Sequence, residues 1–148
     1  MIKLMHGDLF GSSCDAYVNT VNVVGVMGKG IAKEFKIRFP EMFAEYKIAC
    51  NAGIVRIGKM HIVQRLFHPL WIINFPTKVH WKADSNITWI ASGLNDLVQV
   101  IQKEGIKSIA VPALGCSNGG LEWDDVLPLM SLKLAQLENV KIEIYAPR

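Results

Sequence analysis

The chain has few cysteines, and none is placed for a bridge or a zinc site. Cys14, Cys50 and Cys116 are odd in number and show no Cys-x-x-Cys spacing, which argues against a disulfide framework and points to reduced thiols. His6, His61, His68 and His80 likewise lack His-x-x-x-His or His-plus-Cys spacing, so no bound metal is expected. Long apolar runs are missing too: no stretch of about 18 residues would cross a bilayer. The N-terminus enters the alternating segment Ile2-Lys3-Leu4-Met5-His6 without the zones of a signal peptide, so a cytoplasmic chain with no membrane partner is expected. Nor is there charge of one sign. The 16 basic against 13 acidic residues, a formal charge of +3, permit a nucleic-acid partner without requiring one.

What remains is enough for one globular domain over residues 1–148. With 148 residues, 51% hydrophobic and 20% charged, the chain is long enough to bury a proper core, about 70% of its unfolded surface. Residues 18–24, 71–75 and 107–111 are β-branched or aromatic runs bounded by turn signals and read as buried strands. Residues 60–66 alternate less cleanly. Residues 140–145 are apolar at Val140, Ile142 and Ile144 with Lys141 and Glu143 between, the period of a half-buried strand. Helical patterns fall between these runs: 29–39, stopped by Pro40; 41–50, ended near Asn51-Ala52-Gly53; 86–104, capped by Ser85 and closed by Gly105; and 123–137. In the third, Ile87, Ile90, Leu94, Leu97, Val98 and Ile101 form one apolar stripe that packs on a sheet. Strands alternating with helices predict an α/β fold, a three-layer α/β/α sandwich around a central mixed sheet.

Four segments carry chemistry. The first runs from an apolar strand through Gly25, Gly28 and Gly30 into a helix, where backbone N–H groups can cradle an anion. It lacks the Ser or Thr that follows Gly-Lys in a P-loop, and its glycines do not fit Gly-x-Gly-x-x-Gly. An ordinary strand-to-helix connection stays open for it. The second, Gly115-Cys116-Ser117-Asn118-Gly119-Gly120-Leu121, also follows a strand end. Two such loops at strand carboxyl ends can face one crevice and hold a diphosphate. Third, Asp8 follows Gly7 just past the first strand, as an acceptor for an adenine amino group or as a simple turn and cap residue. Fourth, Asn74-Phe75-Pro76-Thr77-Lys78 leads into His80-Trp81-Lys82. Lys78 in a partly desolvated pocket can attack the masked aldehyde carbon of a ribose, or can be a solvated charge. His80, Trp81 and Lys82 combine a stackable ring with cations, the elements of a single-strand platform.

In this order the segments resemble the macrodomain family, the ADP-ribose-binding fold, over essentially the whole chain. Asp8-Leu9 matches the family's adenine site, Asn19-Thr20-Val21-Asn22 stands where many members carry Asn-Ala-Ala-Asn, and Gly28-Lys29-Gly30-Ile31 matches the first diphosphate loop. Gly115 through Leu121 matches the second. Met27-Gly28-Lys29-Gly30 departs from the triple glycine of the protein-deacylating branch. Together with Asn74-Phe75-Pro76-Thr77-Lys78 and His80-Trp81, it resembles the branch of the DarG antitoxins and the terminal ADP-ribose glycohydrolase of animals.

The resemblance implies Lys78 as the catalytic residue, Asn22 as a contact to the distal ribose, and Thr77 through Lys82 as contacts to the modified nucleotide. It implies ADP-ribose as ligand and product with no other cofactor. The expected substrate is ADP-ribosylated thymidine in single-stranded DNA, the expected partner a DNA ADP-ribosyltransferase toxin, and the expected state a monomer. The animal relative has an Asp where this chain has Gly119, so an acid–base role does not transfer to that position. Ser117 also stands where a glycine is usual. Competing readings are hydrolysis of ADP-ribosyl-glutamate esters or O-acetyl-ADP-ribose, and an ADP-ribose reader without turnover.

Overall fold

The computed structural model describes every residue from Met1 to Arg148. Its elements are β1 (Ile2–Met5), a short 3-10 turn (Leu9–Gly11), β2 (Ala16–Asn22), α1 (Gly30–Arg38), α2 (Pro40–Asn51), β3 (His61–Gln64), β4 (Trp71–Lys78), α3 (Ile87–Glu104), β5 (Ser108–Val111), α4 (Trp123–Leu134) and β6 (Lys141–Tyr145). The six strands form one sheet in the order β1-β6-β5-β2-β4-β3. Only β3 runs antiparallel to its neighbour. The expected mixed sheet between two helical layers is therefore what the chain builds.

Period-2 alternation along each strand sends residues to opposite faces. Ala16, Val18, Ile73, Phe75, Ile109, Val111, Ile142 and Ile144 join α3 and α4 in one apolar cluster of 21 residues. Tyr17, Val21, Ile72, Ala110 and Tyr145 face α1 and α2 in a second cluster of 14. The stripe read from the sequence of α3 is buried at Ile90, Leu94, Leu97, Val98 and Ile101. Ile87 remains exposed at its first turn.

Three expectations need correction. Asn86, not Ser85, caps α3: its Oδ1 accepts from Thr88 N at 2.9 Å, while the Ser85 hydroxyl donates to the Thr77 carbonyl. Helix α4 ends at Leu134, short of Leu137. The apolar spacing continues, but Leu137 reaches the core from a turn closed by its N–H on Leu134 O at 3.1 Å. Strand β6 is not half-buried, because it lies between β1 and β5, its Ile142 and Ile144 join the core, and Ser12 and Tyr145 close over Glu143, which is only 6% exposed.

Strand β4 shows how the sequence aims its end. Pro76 lacks an N–H, which a central strand rarely tolerates. Here β3 pairs with β4 only over residues 71–74, so the missing donor faces no neighbour. The register with β2 then slips, from Val21 opposite Pro76 to Asn22 opposite Lys78. Such an irregularity re-aims a side chain, and the residue re-aimed is Lys78.

Candidate active site at the carboxyl ends of the strands

A cleft of about 540 Å³ opens where β2, β4, β5 and β6 end, lined from Asp8 and Tyr145 at one side to Lys78 and Trp81 at the other. That is the place where open α/β sheets bind ligands, and the volume suits a small molecule. Both glycine loops line it, through Gly28, Lys29, Gly30 and Ile31 and through Gly115, Ser117, Asn118 and Gly119.

The first loop is tied down from below. The Asn22 Oδ1 accepts from the N–H groups of Val24 at 3.1 Å and Val26 at 3.3 Å, and from Tyr46 OH at 2.9 Å. The Asn22 Nδ2 donates to Val26 O at 2.8 Å. This side chain thus folds the turn that follows β2 and keeps one amide hydrogen without a protein partner. Met27 is buried at 2% exposure as a plug beneath the loop, and Asn19 Nδ2 lies 3.7 Å from its Sδ. Helix α1 then starts at Gly30 without a side-chain cap, so its first N–H groups point at the cleft as an anion seat.

The two loops meet closely enough to require glycine. Gly30 has φ +57°, and a Cβ there would lie 2.8 Å from Asn118 Nδ2. A Cβ on Gly119 would fall 2.6 Å from Gly115 O. Gly119 O in turn accepts from Ser85 N at 2.8 Å. Residues 79–86 are therefore fastened to the second loop.

Lys78 stands where these pieces converge. Its Nζ donates to Trp81 O at 2.9 Å and Asn118 O at 3.0 Å. Burial lowers its pKa from the ordinary lysine value, Asp84 opposes that shift, and Lys29 adds to it. A lysine with a lowered pKa in a cleft is a candidate nucleophile. Cys116 is the opposite case: burial, with Glu122 in support, pushes its thiol up to about 11, so it stays protonated and inert.

Of the residues singled out in the sequence, Asp8, Leu9, Asn22, Gly28, Lys29, Gly30, Ile31, Thr77, Lys78, Trp81, Gly115, Ser117, Asn118 and Gly119 line one cleft. Cys116 and Leu121 turn toward the core instead, and Gly120 packs against Asp84. Asp8 takes the cap role, accepting from Phe10 N at 3.0 Å through Oδ1. His80 stacks on Trp81 with centroids 5.4 Å apart, and Lys82 Nζ lies 4.9 Å from the Trp81 ring, so the three form one exposed pile beside Lys78. Missed by sequence reading were Tyr46, Val26, Glu34 and the stretch Tyr145-Ala146-Pro147-Arg148, the last three of which line the cleft. Only Val26 gave a signal, as an apolar side chain set among glycines. No three His, Cys, Asp or Glu side chains gather as a metal site, and no helix is long and apolar enough to cross a membrane.

The cleft lies at the strand ends of a three-layer α/β/α sandwich, and comparison with known proteins fixes the family. The Macro domain model matches residues 18–130. The macrodomain of Mycobacterium tuberculosis DarG superposes with a TM-score of 0.97 at 51% identity, covering 100% of this chain and 99% of that one. The macrodomain of Thermus aquaticus DarG gives 0.96 at 44%, covering 99% of both. The chain belongs to the macrodomain family. The full-length Mycobacterium tuberculosis relative, named DNA ADP-ribosyl glycohydrolase, is 52% identical over 149 aligned residues, covering 99% of this chain and 42% of its own length. The chain thus spans about two-fifths of the curated relatives it matches.

Proposed function

We propose that this chain is an ADP-ribosyl glycohydrolase that removes ADP-ribose from thymidine in single-stranded DNA. The reading is supported by relatives named DNA ADP-ribosyl glycohydrolase and by a solved relative described as Thermosipho africanus DarTG in complex with ADP-ribose. The observation that carries it is the placement of Lys78, in the cleft between Trp81 O and Asn118 O with its pKa lowered by burial. Asp8 and Leu9 would hold adenine, residues 28–31 and 115–121 the diphosphate, and Asn22 the distal ribose. His80, Trp81 and Lys82 would hold flanking DNA.

In this reading neutral Lys78 Nζ bonds to the anomeric carbon of the distal ribose while the bond from that carbon to the base nitrogen breaks. The proton lost by the amine goes to the base. Opening of the ribose ring in the adduct gives a Schiff base, and one water hydrolyses it to free ADP-ribose and regenerated lysine. Clamping the diphosphate holds the anomeric carbon beside the amine, which supplies rate through positioning. A cognate ADP-ribosyltransferase toxin is the partner that would make this substrate, and a cytoplasmic monomer is the form in which the protein would act.

The test is Lys78→Ala assayed on an oligonucleotide carrying ADP-ribosyl-thymidine. Turnover should fall by on the order of 10²–10⁴-fold or more, while calorimetry still detects ADP-ribose binding. Unchanged turnover removes Lys78 from the chemistry. Turnover of an ADP-ribosyl-glutamate ester but not of the oligonucleotide favours the ester reading. Tight binding without turnover of any substrate by the unaltered protein makes it a reader.

A further inference from the structure

We infer that Val26 is a specificity-determining residue: with Trp81 in the same cleft it seats the base that leaves, and it selects thymine by contact with the 5-methyl group. The inference rests on the glycohydrolase reading above and names a residue that reading does not use.

Val26 is held on both sides of its peptide by one side chain, its N–H on Asn22 Oδ1 and its C=O on Asn22 Nδ2. Asn22 is the register partner of Lys78 across β2 and β4. The Val26 Cγ1 lies 3.7 Å from where a Cβ on Gly28 would stand. Val26 thus lines the same cleft as Lys78 and Trp81, on the turn that leads into the loop that would grip the diphosphate. In an ADP-ribosylated base the distal ribose joins diphosphate to base, so a base bonded at its anomeric carbon lies along this wall.

Chemistry then says what the wall reads. Val26 is 38% exposed and Trp81, in the same cleft, is exposed as well. Val23 N donates to Val79 O at 3.2 Å, which ties the turn carrying Val26 to the segment carrying Trp81. A valine rigidly held by its backbone offers no hydrogen bond, so it cannot read the polar edge of a base. It can only reward apolar surface, and among the DNA bases the thymine methyl is the group that offers it. Burying one methyl-sized group is worth about fourfold in affinity.

The experiment compares two oligonucleotides of one sequence, ADP-ribosylated either on thymidine or on 2′-deoxyuridine at the same position. The unaltered protein should show a kcat/KM ratio of about four or more in favour of thymidine. Val26→Ala should bring that ratio to near one, and Val26→Thr, which keeps the shape but replaces one methyl with a hydroxyl, should lower it as well. Thermal melting checks that each variant folds. Equal turnover of both substrates by the unaltered protein, or an unchanged ratio in both variants, overturns the assignment of Val26. Absence of turnover on both oligonucleotides by the unaltered protein overturns the glycohydrolase reading itself.

Discussion

The two faces of the sheet are built on different principles. The face under α3 and α4 packs 21 buried hydrophobic residues, from Ala16 to Ile144, into one cluster. The face under α1 and α2 buries Asn19, Asn74, Ser12 and Glu143 among its hydrophobes. On that second face Asn19 Nδ2 donates to Asn74 Oδ1 at 3.1 Å, and Asn74 Nδ2 meets His61 Nδ1 at 3.0 Å, a polar rung across β2, β4 and β3. Tyr46 on α2 reaches Asn22 O at 2.8 Å. The bonds of Asn19 and Tyr46 lie on β2 and its end, which carry the first glycine loop, and the Asn74–His61 bond extends the rung to β3. The dry face holds the fold; the polar face shapes the cleft.

The largest expected effect comes from the dry face. Leu94 is fully buried on α3, and Leu94→Ala should cost about 2–5 kcal/mol in urea unfolding. Because Leu94 does not line the cleft, ADP-ribose affinity of the folded variant should stay within about twofold. A large loss of affinity without loss of stability would break the division of labour.

A smaller effect with the opposite signature is expected from the polar rung. Asn74→Leu keeps the size of the side chain but leaves Asn19 Nδ2 with only the Met27 sulfur at 3.7 Å. An unmet buried donor costs about 1–3 kcal/mol. Since Met27 plugs the first loop, affinity for ADP-ribose should drop along with stability. Replacing both partners, Asn19→Leu with Asn74→Leu, should recover part of the stability but not the affinity, as a double-mutant cycle would measure.

Much of this division was open to sequence reading, and the reasons for the exceptions are physical. The stripe on α3, the strands and both glycine loops declare themselves because periodicity and glycine spacing are local. Lys78 is left open between nucleophile and solvated charge by the residues themselves and is singled out by the family resemblance, because the register slip at the end of β4 is a tertiary feature that no local pattern shows. Ser85 and Asn86 are both good caps, and only the contact with Thr77 O decides which one is free for the helix. Glu143 reads as solvent-facing because alternation reveals which residues share a face and not what covers it, here the segment that carries Ser12. Tyr46 gave no sign at all, since its role is a bond to a residue 24 positions away.

The subtlest expectation concerns that same Glu143. Burial by itself raises its pKa, but hydrogen bonds from Ser12 Oγ at 2.6 Å and Tyr145 OH at 3.0 Å, aided by Cys14 and the Lys141 ammonium, outweigh it and hold the carboxyl below its usual range. A carboxyl whose folded pKa lies below its unfolded value of about 4.3 adds stability that is fully present above that value. The contribution is lost as pH falls through the folded pKa. Stability should therefore decline as pH is lowered from about 5, and Glu143→Gln should flatten that decline, because an amide carries no proton equilibrium. Chemical denaturation at a series of acid pH values measures the slope. An identical slope in the variant would mean that the buried polar face is not acid-sensitive through Glu143, and that Ser12 and Tyr145 hold it for packing alone.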